Sequence, residues 1–186
     1  MLSRQNIAIP NNTSSVSIES LAIDYFQKSQ GKWRSQRRYY MLKQESEPQE
    51  VESILLVEYL AQNSPELVKL ANLHELENAD ILICGSKVTW SSNYTNRNRK
   101  ATEGVTIFGI SGNKMYRDRG FATSKPIIAT YAFTNPETLC LSTQYQGSSF
   151  EEEVKLVGSN YRTRQTIISR AQQEVTIGQY LETRIG

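Results

Sequence analysis

The sequence predicts a mainly β fold: an antiparallel up-and-down barrel of about ten strands, with an N-terminal helix and a second short helix. Three observations carry this expectation. From Ile81 onward, short β-rich runs alternate with turn signals at hairpin spacing. One amphipathic helix precedes that meander. The chain, at 186 residues, is long enough for one sizeable core and short of what two full domains need. A long meander leaves two bare edges unless it closes on itself, and closure at about eight to ten strands leaves room inside for one small ligand. The expected organisation is a loose polar arm over residues 1–16 and one barrel domain over 17–186.

The elements follow in order. In Ser17 to Gln30, Ile18, Leu21, Ala22, Tyr25 and Phe26 recur at spacings of three and four, which makes one apolar helix stripe. Ser17 is placed to cap it and Gly31 to end it. Lys32 to Leu42 reads as a strand with Trp33, Ser35, Arg37, Tyr39 and Met41 on one face. Val51 to Leu60 is β-branched enough for a strand, with a helix left open. Ser64-Pro65-Glu66 starts a short helix with proline at its first position. Eight further strands are expected at Ile81–Ser91, Gly104–Ile110, Lys114–Phe121, Pro126–Phe133, Thr138–Tyr145, Phe150–Val157, Tyr161–Ile168 and Val175–Ile185. Ser111-Gly112-Asn113, Asn135-Pro136-Glu137, Gln146-Gly147-Ser148 and Gly158-Ser159-Asn160 separate several of them with turn chemistry. Ser91 to Lys100 is the one long polar insertion, expected to be a mobile loop.

Composition removes several classes of function. A net charge of +2 gives no global field to attract nucleic acid or an anionic membrane. There is no apolar run of the ~18 residues a membrane span needs, and the opening MLSRQNIAIPNNTSSVS lacks the apolar core of a secretory signal. Cys84 and Cys140 form no disulfide framework and suit a reducing compartment, as small core residues rather than reactive thiols. With a single histidine, His74, the chain offers no histidine-based metal cluster and no good serine triad. No metal site is expected, and no phosphate-binding glycine loop is present. The expected compartment is the cytoplasm.

The chemistry is concentrated between Glu151 and Thr166. With period 2, Glu152 shares a strand face with Val154 and Leu156. After the turn at Gly158, Arg162, Arg164, Thr166 and Ile168 share another. A three-residue loop sets Val157 opposite Tyr161, Leu156 opposite Arg162 and Val154 opposite Arg164, so that Glu152 lies diagonal to Arg164 on the inward face. A two-residue loop turns both arginines outward instead. An acid and two guanidiniums inside an apolar barrel are costly unless paired or given a ligand. With Arg37, and with Trp33, Tyr39, Trp90, Tyr131 and Tyr145 as candidate wall residues, such an interior suits a long, flat, apolar molecule bearing carboxylates. The same residues also fit solvated strand faces and an ordinary aromatic core.

Two motifs resemble those of a known family. Gly31 to Arg37, GKWRSQR, following a helix that ends DYFQKSQ, is similar to the N-terminal signature of the S/U-type phycobiliprotein lyases, the CpcS/CpeS family. Glu152 followed by Asn160-Tyr161-Arg162-Thr163-Arg164 resembles its second signature, an acid and then Asn-Leu-Arg-x-Arg. The order of elements matches from about Ile18 to the C-terminus.

The resemblance implies a ten-stranded barrel akin to lipocalins and fatty-acid-binding proteins, with a linear tetrapyrrole (bilin) as substrate and no permanent cofactor. The bilin, phycocyanobilin or phycoerythrobilin, would be delivered to a cysteine of an apo-phycobiliprotein subunit, forming a thioether at the ring A ethylidene group. Glu152 would be the catalytic acid, facing the pyrrole nitrogens or handing over a proton. Arg37, Arg162 and Arg164 would hold propionates or shape the pocket, and Trp33, Trp90 and Tyr131 would wall it. The implied setting is a cyanobacterial cytoplasm or a plastid stroma, with the chain as a homodimer or paired with an S-type subunit.

The chain departs from the family pattern in two places. Arg38, Tyr39 and Tyr40 stand where a threonine and histidines are usual, and Val154-Lys155-Leu156-Val157 replaces a strand rich in Trp and Phe. These departures fit a divergent or accessory member resembling the U-type subunit, and equally a lyase with altered bilin or acceptor preference. The competing expectations are a non-catalytic lipid or bilin carrier of the same fold, and an accessory subunit that binds no bilin itself.

Overall fold

A computed structural model describes residues 16–94, 100–120, 123–171 and 173–186. Of the expected N-terminal arm only Val16 falls within the described residues, as do only the ends of the polar insertion; Phe121 lies outside them. Helix α1 (Ile18–Ser29) leads into strands β1 (Gly31–Met41) and β2 (Gln49–Ala61), then helix α2 (Pro65–Leu73) and a 3-10 turn at Ala79–Ile81. The meander continues as β3 (Cys84–Tyr94), β4 (Thr102–Ser111), β5 (Lys114–Arg117), β6 (Ile127–Asn135), β7 (Thr138–Tyr145), β8 (Ser148–Val157), β9 (Tyr161–Arg170) and β10 (Gln173–Arg184). Every strand pairs antiparallel with its sequence neighbour, and β1 pairs with β10 to close the barrel. Closure removes the two terminal edges of the sheet, with the short β5 paired to β4 only from Phe108 to Ser111.

Helix α1 starts where Ser17 accepts a hydrogen bond from the Ser20 amide at 3.1 Å. Gly31, at φ +127°, turns the chain from helix into strand in a region that other residues rarely adopt. The helix lies across one end of the barrel. Its Glu19 Oε1 accepts from the Gly112 amide in the β4–β5 turn at 2.7 Å, and Tyr25 donates to the Val154 carbonyl of β8 at 3.0 Å. Its C-terminal carbonyls are met by Arg184, which donates to those of Lys28 and Gln30 and, through Nε, to Ser159 at 2.7 Å.

Helix α2 packs on the outside. Its Leu67, Leu70 and Ala71 bury against Leu60, Leu82 and Tyr116, a second apolar cluster separate from the barrel core. That coverage is why β5 is buried on both faces: Met115 and Arg117 face the barrel interior, Tyr116 faces α2.

Three sequence expectations are adjusted. Residues 81–83 precede rather than begin β3, because the Asn78 side chain accepts from the Asp80 amide and starts a tight turn. Strand β5 stops at Arg117. The first part of the polar insertion, Ser91–Tyr94, belongs to β3 and pairs with β2 from Ile54 to Val51. The alternative of a helix at Val51–Leu60 is resolved as strand β2.

Candidate functional site

The barrel encloses a cavity of about 760 Å³, within the range of small-molecule sites. Alternate residues of nearly every strand supply its wall. Strand β2 gives Val51, Leu55 and Val57; β3 gives Ser86, Val88, Trp90 and Ser92; β8 gives Glu152 and Val154; β9 gives Arg162, Arg164 and Ile168. Tyr25 and Phe26 of α1 close one end.

The loop at Gly158 is three residues long. Leu156 pairs with Arg162 and Val154 with Arg164, which turns both guanidiniums inward. Across the diagonal, Arg164 Nη2 donates to Glu152 Oε1 at 2.8 Å, with the Glu152 side chain 4% exposed. Burial by itself would push this carboxyl up; the Arg164 and Arg117 guanidiniums overturn that and hold it below the usual carboxylate range. The same pairing raises the Arg164 pKa against the opposing effect of burial. Glu152 therefore sits in the cavity wall as an anion.

A second ion pair lies deeper. Arg162 donates through Nε to Glu182 Oε2, and Ser35 donates to Glu182 Oε1 at 2.9 Å. Glu182 is fully buried. Desolvation would raise its pKa, yet Arg162 and Arg164 hold it low. Here β9, β10 and β1 meet at the closure of the sheet, and all three contribute a polar group.

Arg37 of β1 lines the cavity and donates to Ser35 Oγ at 3.0 Å, with no carboxylate at ion-pair distance among the described residues. Its guanidinium and that of Arg164 each stand 5.3 Å from the centre of the Tyr180 ring. Tyr180 also meets Tyr39 edge-on at 5.7 Å, and its hydroxyl donates to Tyr39 at 3.3 Å. The interior thus holds the guanidiniums of Arg37, Arg117, Arg162 and Arg164 against the carboxylates of Glu152 and Glu182. The imbalance favours an anionic guest.

The expected site residues divide into two groups. Glu152, Arg37, Arg162, Arg164 and Trp90 line one cavity. Trp33 and Tyr131 are not in its wall. Trp33 is fully buried: its Nε1 donates to the Ser29 carbonyl at 3.0 Å, and the Arg162 and Arg184 guanidiniums lie 4.8 and 4.2 Å from its ring centre. It anchors the helix to the sheet and steadies Arg162. Tyr131 donates to the Gly112 carbonyl at 2.7 Å and packs edge-on against Phe133, tying β6 to the β4–β5 turn.

Aromatic surface is supplied by Trp90 and Phe108 in place of the β8 aromatics that the family pattern leads one to expect. Gly104 makes the room for Trp90: a Cβ there would fall 2.6 Å from the indole Cζ2. Glu182, Tyr180 and Arg117 are functional candidates that the sequence reading missed. The signal for them is weaker than for Glu152: Tyr180 precedes Glu182 and Met115 precedes Arg117 at i−2, but the residues at i+2, Arg184 and Arg119, are charged.

A closed antiparallel barrel with an end-plugging helix and a charged, ligand-sized interior is the architecture of lipocalin- and fatty-acid-binding-protein-like proteins. In the solved S-type phycobiliprotein lyase from Guillardia theta the same fold recurs, with a TM-score of 0.73 at 19% identity over 89% of this chain and 93% of that one. The profile of the CpeS-like protein family matches residues 22–185. Among relatives, one from Nostoc sp., provisionally named phycocyanobilin lyase CpcS 2, is 56% identical over 90% of this chain and 92% of its own length. Another, from Picosynechococcus sp., provisionally named chromophore lyase CpcV, is 51% identical over 89% of this chain and 82% of its own. The chain belongs to the CpeS-like family, a family of chromophore lyases.

Proposed function

We propose that this chain is a bilin lyase: it takes a linear tetrapyrrole into the barrel and presents it to a cysteine of an apo-phycobiliprotein subunit. The observation that carries the reading is the Glu152–Arg164 pair in the wall of a cavity with an excess of guanidinium groups. A bilin is a flexible conjugated molecule with pyrrole nitrogens along its middle and two propionate arms. The arms complement guanidiniums, and the conjugated body suits walls such as Trp90 and Val88.

Arg164 holds Glu152 as a carboxylate, and this carboxylate faces the pyrrole N–H groups. An anion at that point stabilises the protonated, cationic tetrapyrrole, which is the better electrophile. The acceptor thiol adds across the ring A ethylidene double bond. Sulfur bonds to the outer carbon, the thiol proton ends on the ring carbon, and no oxidant or reductant is needed. Arg162 and Glu182 satisfy one another and position that wall, while Arg37 offers its guanidinium to a propionate. The nucleophile belongs to the acceptor. Phycocyanobilin is the bilin in the name of the Nostoc relative and is the first substrate to test. The setting is the cytoplasm or plastid stroma in which phycobiliproteins are assembled.

The test is absorption spectroscopy of the purified protein with phycocyanobilin, followed by addition of apo-phycobiliprotein. A red-shifted bound band, then a covalent adduct on the acceptor, is the expected result. Binding without transfer would make the chain a carrier. No binding unless an S-type subunit is added would make it an accessory subunit.

A further inference from the structure

We infer that Arg117 forms a second carboxylate subsite in the cavity, taking the propionate arm that Arg37 does not hold; this rests on the bilin reading above. Arg117 is 7% exposed and lines the cavity from β5. Its Nε has no hydrogen-bond partner, and no carboxylate stands at ion-pair distance from it among the described residues. A buried guanidinium left in that state is costly.

The fold shows what arginines with structural roles look like. Arg184 donates to three backbone carbonyls, and Arg162 is held by Glu182. Among the described residues Arg117 has neither kind of partner, yet it is held in place. Its guanidinium carbon lies 5.0 Å from the centre of the Phe108 ring, its cross-strand neighbour. From outside the barrel, His74 Nε2 donates to the Arg117 carbonyl at 2.9 Å, and the His74 ring meets Tyr116 edge-on at 5.1 Å. Helix α2 thus fixes the strand segment that carries the unpaired cation.

Burial lowers the Arg117 pKa, in keeping with a cation waiting for an anion. Glu152 acts on it only at a distance beyond an ion pair, and is already taken by Arg164. Arg37 stands on β1 and Arg117 on β5, with β2, β3 and β4 between them. Two acid arms of one ligand therefore meet separate guanidiniums, each without a carboxylate at ion-pair distance among the described residues.

The experiment compares phycocyanobilin with its propionate dimethyl ester by absorption titration of wild type, Arg117→Gln and Arg117→Lys. Wild type is expected to bind the diacid about 100-fold tighter than the diester, from two charge-assisted contacts of about 10-fold each. Arg117→Gln should lose about 10-fold of that preference with little change for the diester, and Arg117→Lys should fall between. Equal binding of diacid and diester by wild type overturns the subsite without recourse to any variant, while leaving the bilin reading intact. Full diacid preference in Arg117→Gln overturns it too. Failure of wild type to bind either pigment removes the bilin reading and the subsite with it.

Discussion

Arg164 and Glu152 meet across the β8–β9 diagonal at 2.8 Å, two positions out of register and on the inward face. The pair exists because the Gly158 turn, with φ +60° at the glycine, sets the register that brings both side chains inside. Its consequence is an anion fixed in an apolar wall, available to a guest that carries N–H groups.

Glu152→Gln keeps the shape of the acid and removes its charge. Bilin affinity should change by no more than ~3-fold, while transfer to the acceptor should slow by about 100-fold, the scale of a lost group that stabilises charge in the transition state. Quantifying thioether adduct against time, beside a binding titration, checks the split. Wild-type transfer by this variant would take Glu152 out of the mechanism.

Arg162→Ala strands the fully buried Glu182 carboxylate without its cation. Stability should drop by about 3–5 kcal/mol, read from urea denaturation. Adding Glu182→Gln should recover part of that loss, because the uncompensated charge is gone. A loss below ~1 kcal/mol in the single variant would mean that water reaches Glu182.

Both interior glutamates have pKa values below those of unfolded carboxylates. Their contribution is therefore present above the unfolded value of about 4.3. It is lost as pH falls through the lower folded values. Thermal melts should show a plateau near neutrality and a decline that sets in below about pH 5, shallower in Glu152→Gln and Glu182→Gln. An unchanged slope in both variants would contradict this assignment.

Burial pushes the Cys84 thiol up to about 12 and also raises that of Cys140. In the native protein Cys84 should resist thiol reagents at pH 8, and Cys84→Ala and Cys140→Ala should each retain transfer. Mass spectrometry after turnover should find the bilin on the acceptor alone. A covalent bilin adduct on this chain would require a different mechanism.

A methyl group at Gly104 would press on the Trp90 indole. Gly104→Ala should displace the ring from the cavity wall, shift its fluorescence and weaken phycocyanobilin binding by about 10-fold, as expected when a well-packed aromatic contact is lost. Unchanged affinity with a shifted spectrum would show that Trp90 does not touch the pigment.

Most of the barrel could be read from local patterns. The alternation in GKWRSQRRYYM placed Trp33, Ser35 and Arg37 on the inward face, and the apolar stripe of Ile18 to Phe26 gave the plugging helix. The inward turn of Glu152 depended on its neighbours Val154 and Leu156, and its meeting with Arg164 on the length of one loop. Boundaries slipped where a side-chain cap competed with the strand, as at Asn78, or where pairing ran into a polar stretch, as at Ser91–Tyr94.

What the amino-acid sequence by itself determined was the set of strands, their inward faces and the hairpin register, because these depend on residues a few positions apart. Only the closed barrel decided which interior charges are already neutralised. Glu182 faces Arg162 directly across the β9–β10 hairpin but reaches Ser35 only because β1 seals against β10, while among the described residues no acid closes on Arg117 at ion-pair distance. Trp33 could be seen to point inward and its bond to the Ser29 carbonyl of α1 is local, but its cover by two guanidiniums follows from contacts with segments more than a hundred residues away. Burial and charge pairing at that range belong to packing, which local periodicity does not encode.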